Sequence, residues 1–230
     1  MSIKLTGATS GSIELDVPAA VSGGDISLTL PNGVGTADQV LKNGSTPGTL
    51  EFAQPKAQPG QIIEKISSIC NGSTVTVGSG SYTMPNVTTN QDISYTAYAD
   101  VDGSSFAYTP PSNASTVVYE FVVSGHYSSS GQLICHFKFF LDNNEVTCKR
   151  QSYYNGFDNV FVFKIPLSLN NATEDIANGK VGSWTSNKTM KLQCRSYGSV
   201  YQVSLNRHYH WDGTGSYQLV KPTLEITSIA

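Results

Sequence analysis

The sequence predicts an all-β protein in two parts, on three observations. Apolar residues recur at period two in one run after another, the mark of strands with one buried face. Gly, Pro, Asn and Asp interrupt these runs roughly every 8–12 residues, the spacing of a sandwich or barrel. Lastly, the aromatic residues lie almost wholly on one side of the chain. Of 12 Tyr, 9 Phe and 2 Trp, only Phe52 falls within the first 60 residues. Residues 1–60 therefore lack the large side chains of a core, and residues 61–230 have them in plenty.

The first part reads as short strands. Ile3 and Leu5 alternate, then Ile13, Leu15 and Val17, then Ile26, Leu28 and Leu30. Pro18 and Pro31 follow the second and third runs and end their pairing, because proline has no N–H for a ladder. Gly23-Gly24 supplies the turn between them. Residues 40–52 read as a hairpin through Asn43-Gly44 and Pro47-Gly48. Segments this small bury little surface and need staples or partners. This one has neither cysteine nor a metal-ligand cluster, so oligomerisation remains. Ile13, Leu15, Val17, Ile26, Leu28 and Leu30 are the expected anchoring residues, shared with strands of other copies. Residues 53–61, with Pro55, Pro59, Gly60 and no bulky apolar side chain, read as a linker.

The second part predicts strands at 62–70, 73–77, 91–98, 104–109, 116–126, 132–141, 144–151, 159–168, 187–197, 200–211 and 217–228. Asp142-Asn143-Asn144 reads as a hairpin turn. Residues 171–178 form a weak helical candidate. In ICHFKFFL both faces are apolar, which implies a sheet covered on both sides or a subunit contact.

Composition narrows the function. Charged residues make up 13% of the chain and the net charge is −3, so the basic face of a nucleic-acid binder is missing. No apolar run approaches the roughly 20 residues of a membrane-spanning helix. MSIKLTGATSGS lacks a signal-peptide core, which predicts a product kept in a cytosol or released by lysis. Cys70, Cys135, Cys148 and Cys194 form no CxxC pair. They read as buried thiols, with a Cys135–Cys148 disulfide across a hairpin as the other reading.

Candidate chemistry is sparse. On a strand, His208, His210 and Asp212 share a face and form a possible zinc or nickel site; a strand end with aromatic packing and a turn at Asp212-Gly213 is the simpler reading, and no metal is expected. Asp100-Val101-Asp102-Gly103 has no Glu at the twelfth position of a calcium loop and reads as a turn. No GxSxG, HExxH or Walker sequence occurs, and no cofactor is expected. The stretches around Tyr153, Tyr154 and Phe157, and around Tyr197 and Tyr201, place aromatics among Asn, Asp, Gly and Ser. That mixture suits recognition of a protein or sugar, or packing beneath the loops. The chain is expected to be non-enzymatic; a glycosidase pair among its scattered carboxylates stays as a third class.

GSIELDVP (11–18) and ISLTLPNGVGTADQVLKNGSTPGTLEF (26–52) resemble a module of structural proteins in marine tailed bacteriophages of the cyanophage type. The resemblance implies a virion component beside the attachment region of a trimeric appendage. More loosely, FAYTPPSNASTVVYEFVVSGHY (106–127) and the strands after it resemble the jelly-roll heads of complement-like and tumour-necrosis-factor-like trimers. The expectation is a homotrimer with a jelly-roll-like antiparallel β-sandwich head. It would bind other virion proteins through residues 1–60 and aid host attachment through a surface glycan or protein. The second reading is a trimeric capsid decoration protein that stabilises the shell.

Overall fold

The computed structural model describes residues 3–6, 12–15, 28–46, 48–127, 132–155, 158–210 and 216–230. The chain divides into two compact units, Met1–Lys56 and Ala57–Ala230. Every strand-to-strand ladder is antiparallel.

In the first unit, β1 (Ile3–Thr6) pairs with β2 (Ser12–Leu15), setting Ile3 opposite Leu15 and Leu5 opposite Ile13. β3 (Val40–Asn43) pairs with β4 (Leu50–Ala53), and Lys42 meets Glu51 at 3.0 Å across that ladder. The strand expected at 26–30 is reduced, in its described part, to one parallel bridge between Thr29 and Thr49. Val17 and Ile26 lie outside the described residues. Leu28 and Leu30 are 61% and 68% exposed, and Val34 is 96% exposed. No described residue from 28 to 56 is buried.

The second unit begins with β5 (Ile62–Ile69), the hairpin β6 (Thr74–Val77) and β7 (Gly80–Thr83), then β8 (Gln91–Asp92), β9 (Ala99–Asp100) and β10 (Phe106–Tyr108). Two long strands follow, β11 (Thr116–Tyr127) and β12 (Leu133–Leu141). Next come β13 (Asn144–Glu145), β14 (Gln151–Asn155), β15 (Asn159–Ser168) and β16 (Lys188–Ser196). The chain closes with β17 (Val203–Leu205), β18 (Arg207–His210), β19 (Ser216–Leu219) and β20 (Thr223–Ile229).

Sheet one runs β15-β11-β20-β5, with β17 and β8 continuing beyond the end of β20 along the same edge of β11. Sheet two has β12 and β16 at its centre, β9 and β10 outside β16, and β13 and β14 outside β12. Taking β5, β10, β11, β12, β14, β15, β16 and β20 as eight strands in chain order, sheet one holds the sixth, third, eighth and first. Sheet two holds the second, seventh, fourth and fifth. That interleaving is jelly-roll connectivity, and the expected fold class is the observed one.

The core lies between the sheets and follows the alternation of the sequence. β11 turns Val117, Tyr119, Phe121 and Val123 inward, and β15 turns Phe161, Phe163, Ile165 and Leu167 inward. From sheet two come Phe137, Phe139, Leu141, Met190 and Leu192. The Phe137 ring stands 5.0 Å from Phe161 and 4.8 Å from Phe163, and Tyr119 stands 5.0 Å from Phe139. Among the described residues one carboxylate is buried, and its hydrogen bonds offset the cost of desolvation. Glu64 accepts from the Ser79 amide at 2.8 Å, the Ser79 hydroxyl at 2.6 Å and the Tyr108 hydroxyl at 2.7 Å. Burial pushes the Tyr108 phenol up, so it stays a donor.

Several expected strands break where local chemistry intervenes. Residues 200–211 split into β17 and β18 at Asn206, which sits at φ 59° in the left-handed region. β17 stays in sheet one, and β18 leaves to pair with β19. Residues 144–151 hold only β13 and the start of β14, separated by a 3-10 turn at Thr147–Lys149, because Val146 turns fully into the core. Strand 91–98 ends after Asp92, where the Ser94 hydroxyl captures the Thr96 amide. Of residues 171–178, only Ile176–Asn178 is helical, as a 3-10 turn. Asp142-Asn143 makes the expected hairpin turn, with Asp142 at φ 54°. The expected linker is partly occupied: Ala53 belongs to β4, and Gly60 and Gln61 bond with Ala230.

All four cysteines are free; Cys70, Cys135 and Cys194 are buried, and Cys148 is exposed. The neighbour of Cys135 is Cys194 on the adjacent strand, not Cys148. Burial pushes the Cys70 thiol up to about 11 and, with the Cys135 contact, holds the Cys194 thiol well above its usual value. Such thiols are unreactive packing groups.

Candidate functional site

One end of the sandwich gathers most of the unusual side chains. There β11 finishes as Gly125-His126-Tyr127, and Gly125 is paired with both Asn159 of β15 and Leu205 of β17. A Cβ at Gly125 would lie 2.6 Å from Phe161 Cε2, so the bare backbone lets that ring close over the strand. His126 follows at 3% exposure. Its Nδ1 is hydrogen-bonded to the Asp158 carboxylate, and its Nε2 has no partner among the described residues.

β18 and β19 supply the remaining wall. His208 Nδ1 lies 3.8 Å from the same Asp158 oxygen. The His126 ring sits 4.2 Å from Tyr127 and 4.8 Å from Tyr217, and Tyr209 meets Tyr217 edge-on at 5.2 Å. Arg207 stacks on the Tyr217 ring, its guanidinium 3.7 Å from the centroid. His126, Tyr127, Asp158, Tyr209 and Tyr217 line a cavity of about 440 Å³. Aromatic walls with a few convergent polar atoms are the usual make-up of a small-ligand site.

His208 and His210 share a strand face as alternation requires, and their rings meet edge-on at 5.2 Å. Asp212 lies outside the described residues. Among the described residues, no set of three His, Cys, Asp or Glu is placed to hold a metal ion. The carboxylate that His208 approaches is Asp158, distant in sequence, and with it comes His126. Neither residue carries a sequence motif; only the β11–β15 register joins them.

The exposed-aromatic stretches converge at the start of β12. Ile134 is paired with Tyr154, and its carbonyl accepts from the Tyr197 amide at 2.9 Å. Strand spacing thus sets Tyr154 and Tyr197 on either side of Ile134, about 10 Å apart. They are 71% and 70% exposed, and Tyr201 packs on Tyr197 at 5.9 Å. Tyr153 differs: it points inward, edge-on to Phe161 at 4.6 Å and to Phe137 at 5.8 Å. Phe157 lies outside the described residues.

Beyond that row, the outer face of sheet two is polar. Tyr98 bonds His136 Nδ1, with Lys138 Nζ 4.4 Å and Arg195 5.3 Å from its ring. Burial and the charges of Arg150 and Lys138 hold His136 below its usual value. Asp100 bonds Lys191 at 2.9 Å and Gln193 at 2.8 Å; burial opposes its ionisation, but these partners prevail and hold it low. Arg150 donates from Nε and Nη2 to the two oxygens of Glu145, with Lys138 at 3.4 Å, so the Glu145 carboxyl is held below the usual carboxylate range. A depressed carboxylate contributes stability that is full above its unfolded value and is lost as pH falls through the folded one. Glu145→Gln is therefore expected to lower the thermal midpoint at pH 7, with the gap beginning to narrow at the ordinary carboxylate value of about 4.3 and closing as pH falls through the lower folded value. A gap that does not narrow as the solution is acidified would assign the effect to packing.

No family model matches the chain, and no curated protein matches it. Among solved structures, that of infectious bursal disease virus Gx strain aligns over 96% of this chain and 47% of its own, at 10% identity and a TM-score of 0.33. The crystal structure of the infectious bursal disease virus VP2 subviral particle aligns over 95% and 51%, at 12% identity and a TM-score of 0.21. The chain spans about half the length of these solved chains. Scores this low do not establish a shared fold, and nothing about function follows from them. No helix among the described residues is long and apolar enough to cross a membrane.

Proposed function

We propose that this chain is a non-enzymatic virion structural protein, a short trimeric appendage whose first unit anchors it and whose jelly-roll head aids attachment to a host. One observation carries the reading: the two units differ in self-sufficiency. Among the described residues from 28 onward, every buried apolar side chain lies between Ile66 and Ile226, and those from 28 to 56 bury none while exposing Leu28, Leu30, Val34, Val40 and Leu41. A strand-rich segment with its apolar residues in solvent calls for a partner, and a symmetric homo-oligomer is the common solution. The cyanophage-like phrases in that segment supply the virion context.

Electron microscopy of particles carrying a tagged copy tests this. The expected result is density in small copy number at the tail. Hundreds of copies over the shell would overturn the appendage and favour decoration; absence from the particle would overturn the virion role.

A further inference from the structure

We infer that the cavity lined by His126, Tyr127, Asp158, Tyr209 and Tyr217 binds one pyranose unit of a glycan. The inference rests on the attachment reading of the head and names the ligand class for it.

The first argument is the unused polar atom. His126 is almost wholly buried and lines the cavity, yet its Nε2 has no hydrogen-bond partner among the described residues. A buried polar atom without a partner costs free energy, and a ligand supplying the partner recovers it. Its Nδ1 is committed to Asp158, so the unmet hydrogen bond is at the buried Nε2 alone. Depending on ring charge, that nitrogen accepts or donates. A hydroxyl does either, which few other ligand groups can match.

The second argument is composition. Asp158 remains partly exposed and accepts hydrogen bonds only, which suits hydroxyl donors. Tyr127, Tyr209 and Tyr217 supply hydroxyls and flat apolar surface, against which the C–H face of a sugar ring packs. Arg207 already stacks on the Tyr217 ring, which fixes that wall before any ligand arrives. The volume of about 440 Å³ suits one sugar ring with its water better than an extended chain.

The test uses the purified full-length protein and methyl α-glucopyranoside, methyl α-galactopyranoside and N-acetylglucosamine, with binding followed by ligand-observed NMR. At least one sugar should bind. Asp158→Asn preserves shape but removes an acceptor, and Tyr209→Ala removes a wall. Each should weaken binding about tenfold or more, with an unchanged thermal midpoint showing that the head stays folded. Tyr197→Ala, on the outer face of sheet two, should leave binding unchanged. Loss with Tyr197→Ala and not with Asp158→Asn would overturn the assignment, as would binding of tetramethylammonium in place of every sugar, or no sugar binding at all. Adsorption of particles carrying the same variants separates the two readings. Adsorption that needs the protein but ignores Asp158→Asn sinks the pocket alone; adsorption that proceeds without the protein sinks the attachment role.

Discussion

Phe137→Ala is expected to destabilise the head by about 3–5 kcal/mol, the usual cost of emptying an aromatic site in a packed core. Phe137 is fully buried on the central strand of sheet two and contacts Tyr153, Phe161 and Phe163 at ring distances of 5.8, 5.0 and 4.8 Å. Those rings belong to β14 and β15, so the cavity would open between the sheets, where neighbouring strands held by ladders cannot collapse to fill it. Against a total stability on the order of 5–15 kcal/mol, the loss is a large share. Chemical denaturation checks it. Ile134→Ala, on the outward face of the same strand, is the control and should cost about 1 kcal/mol or less. A similar cost at both positions would contradict the inward parity of β12.

The inward parity of β11, unlike that of β12, was readable from residues alone. Val117, Tyr119, Phe121 and Val123 alternate cleanly, and β11 lies where alternation places it. In β12 apolar residues occupy both faces, so periodicity cannot choose a side. The register Phe137–Cys194 and Ile134–Tyr154 decides it. The same limit applies to Tyr153 and Tyr154. Adjacent residues on a strand face opposite ways, so only one could be a surface aromatic, and pairing of Tyr153 with the buried Cys135 turned that one inward. The break at Asn206 was legible only in hindsight: Asn tolerates the left-handed region, but nothing in SLNRHYH requires it there. The His126–Asp158 contact was the least accessible. It depends on residues 32 apart in the chain meeting in one register, and an isolated His or Asp carries no signal of its partner.

Deleting residues 1–55 is expected to release a folded, smaller species. The physical ground is the distribution of buried surface. Apolar area removed from water stabilises at about 25 cal/mol per Å², and the described residues from 28 to 56, none of them buried, remove too little to offset the entropy of ordering them. The second unit holds the complete jelly roll, including the Gly60 and Gln61 bonds to Ala230, so the cut leaves its sheets intact. Light scattering should report loss of the proposed oligomer, while the thermal midpoint of the head shifts by no more than a few degrees. A head that unfolds would contradict the two-part organisation. An oligomer that survives the cut would move the subunit contact onto the sandwich. The outer face of sheet one is the place to look then, because Val118, Val122, Val160 and Val162 stand there, and Val160 and Val162 are 53% and 52% exposed. Val162→Asp in the truncated protein would decide between these cases: a head already monomeric should be unaffected, and a sheet-one oligomer should dissociate.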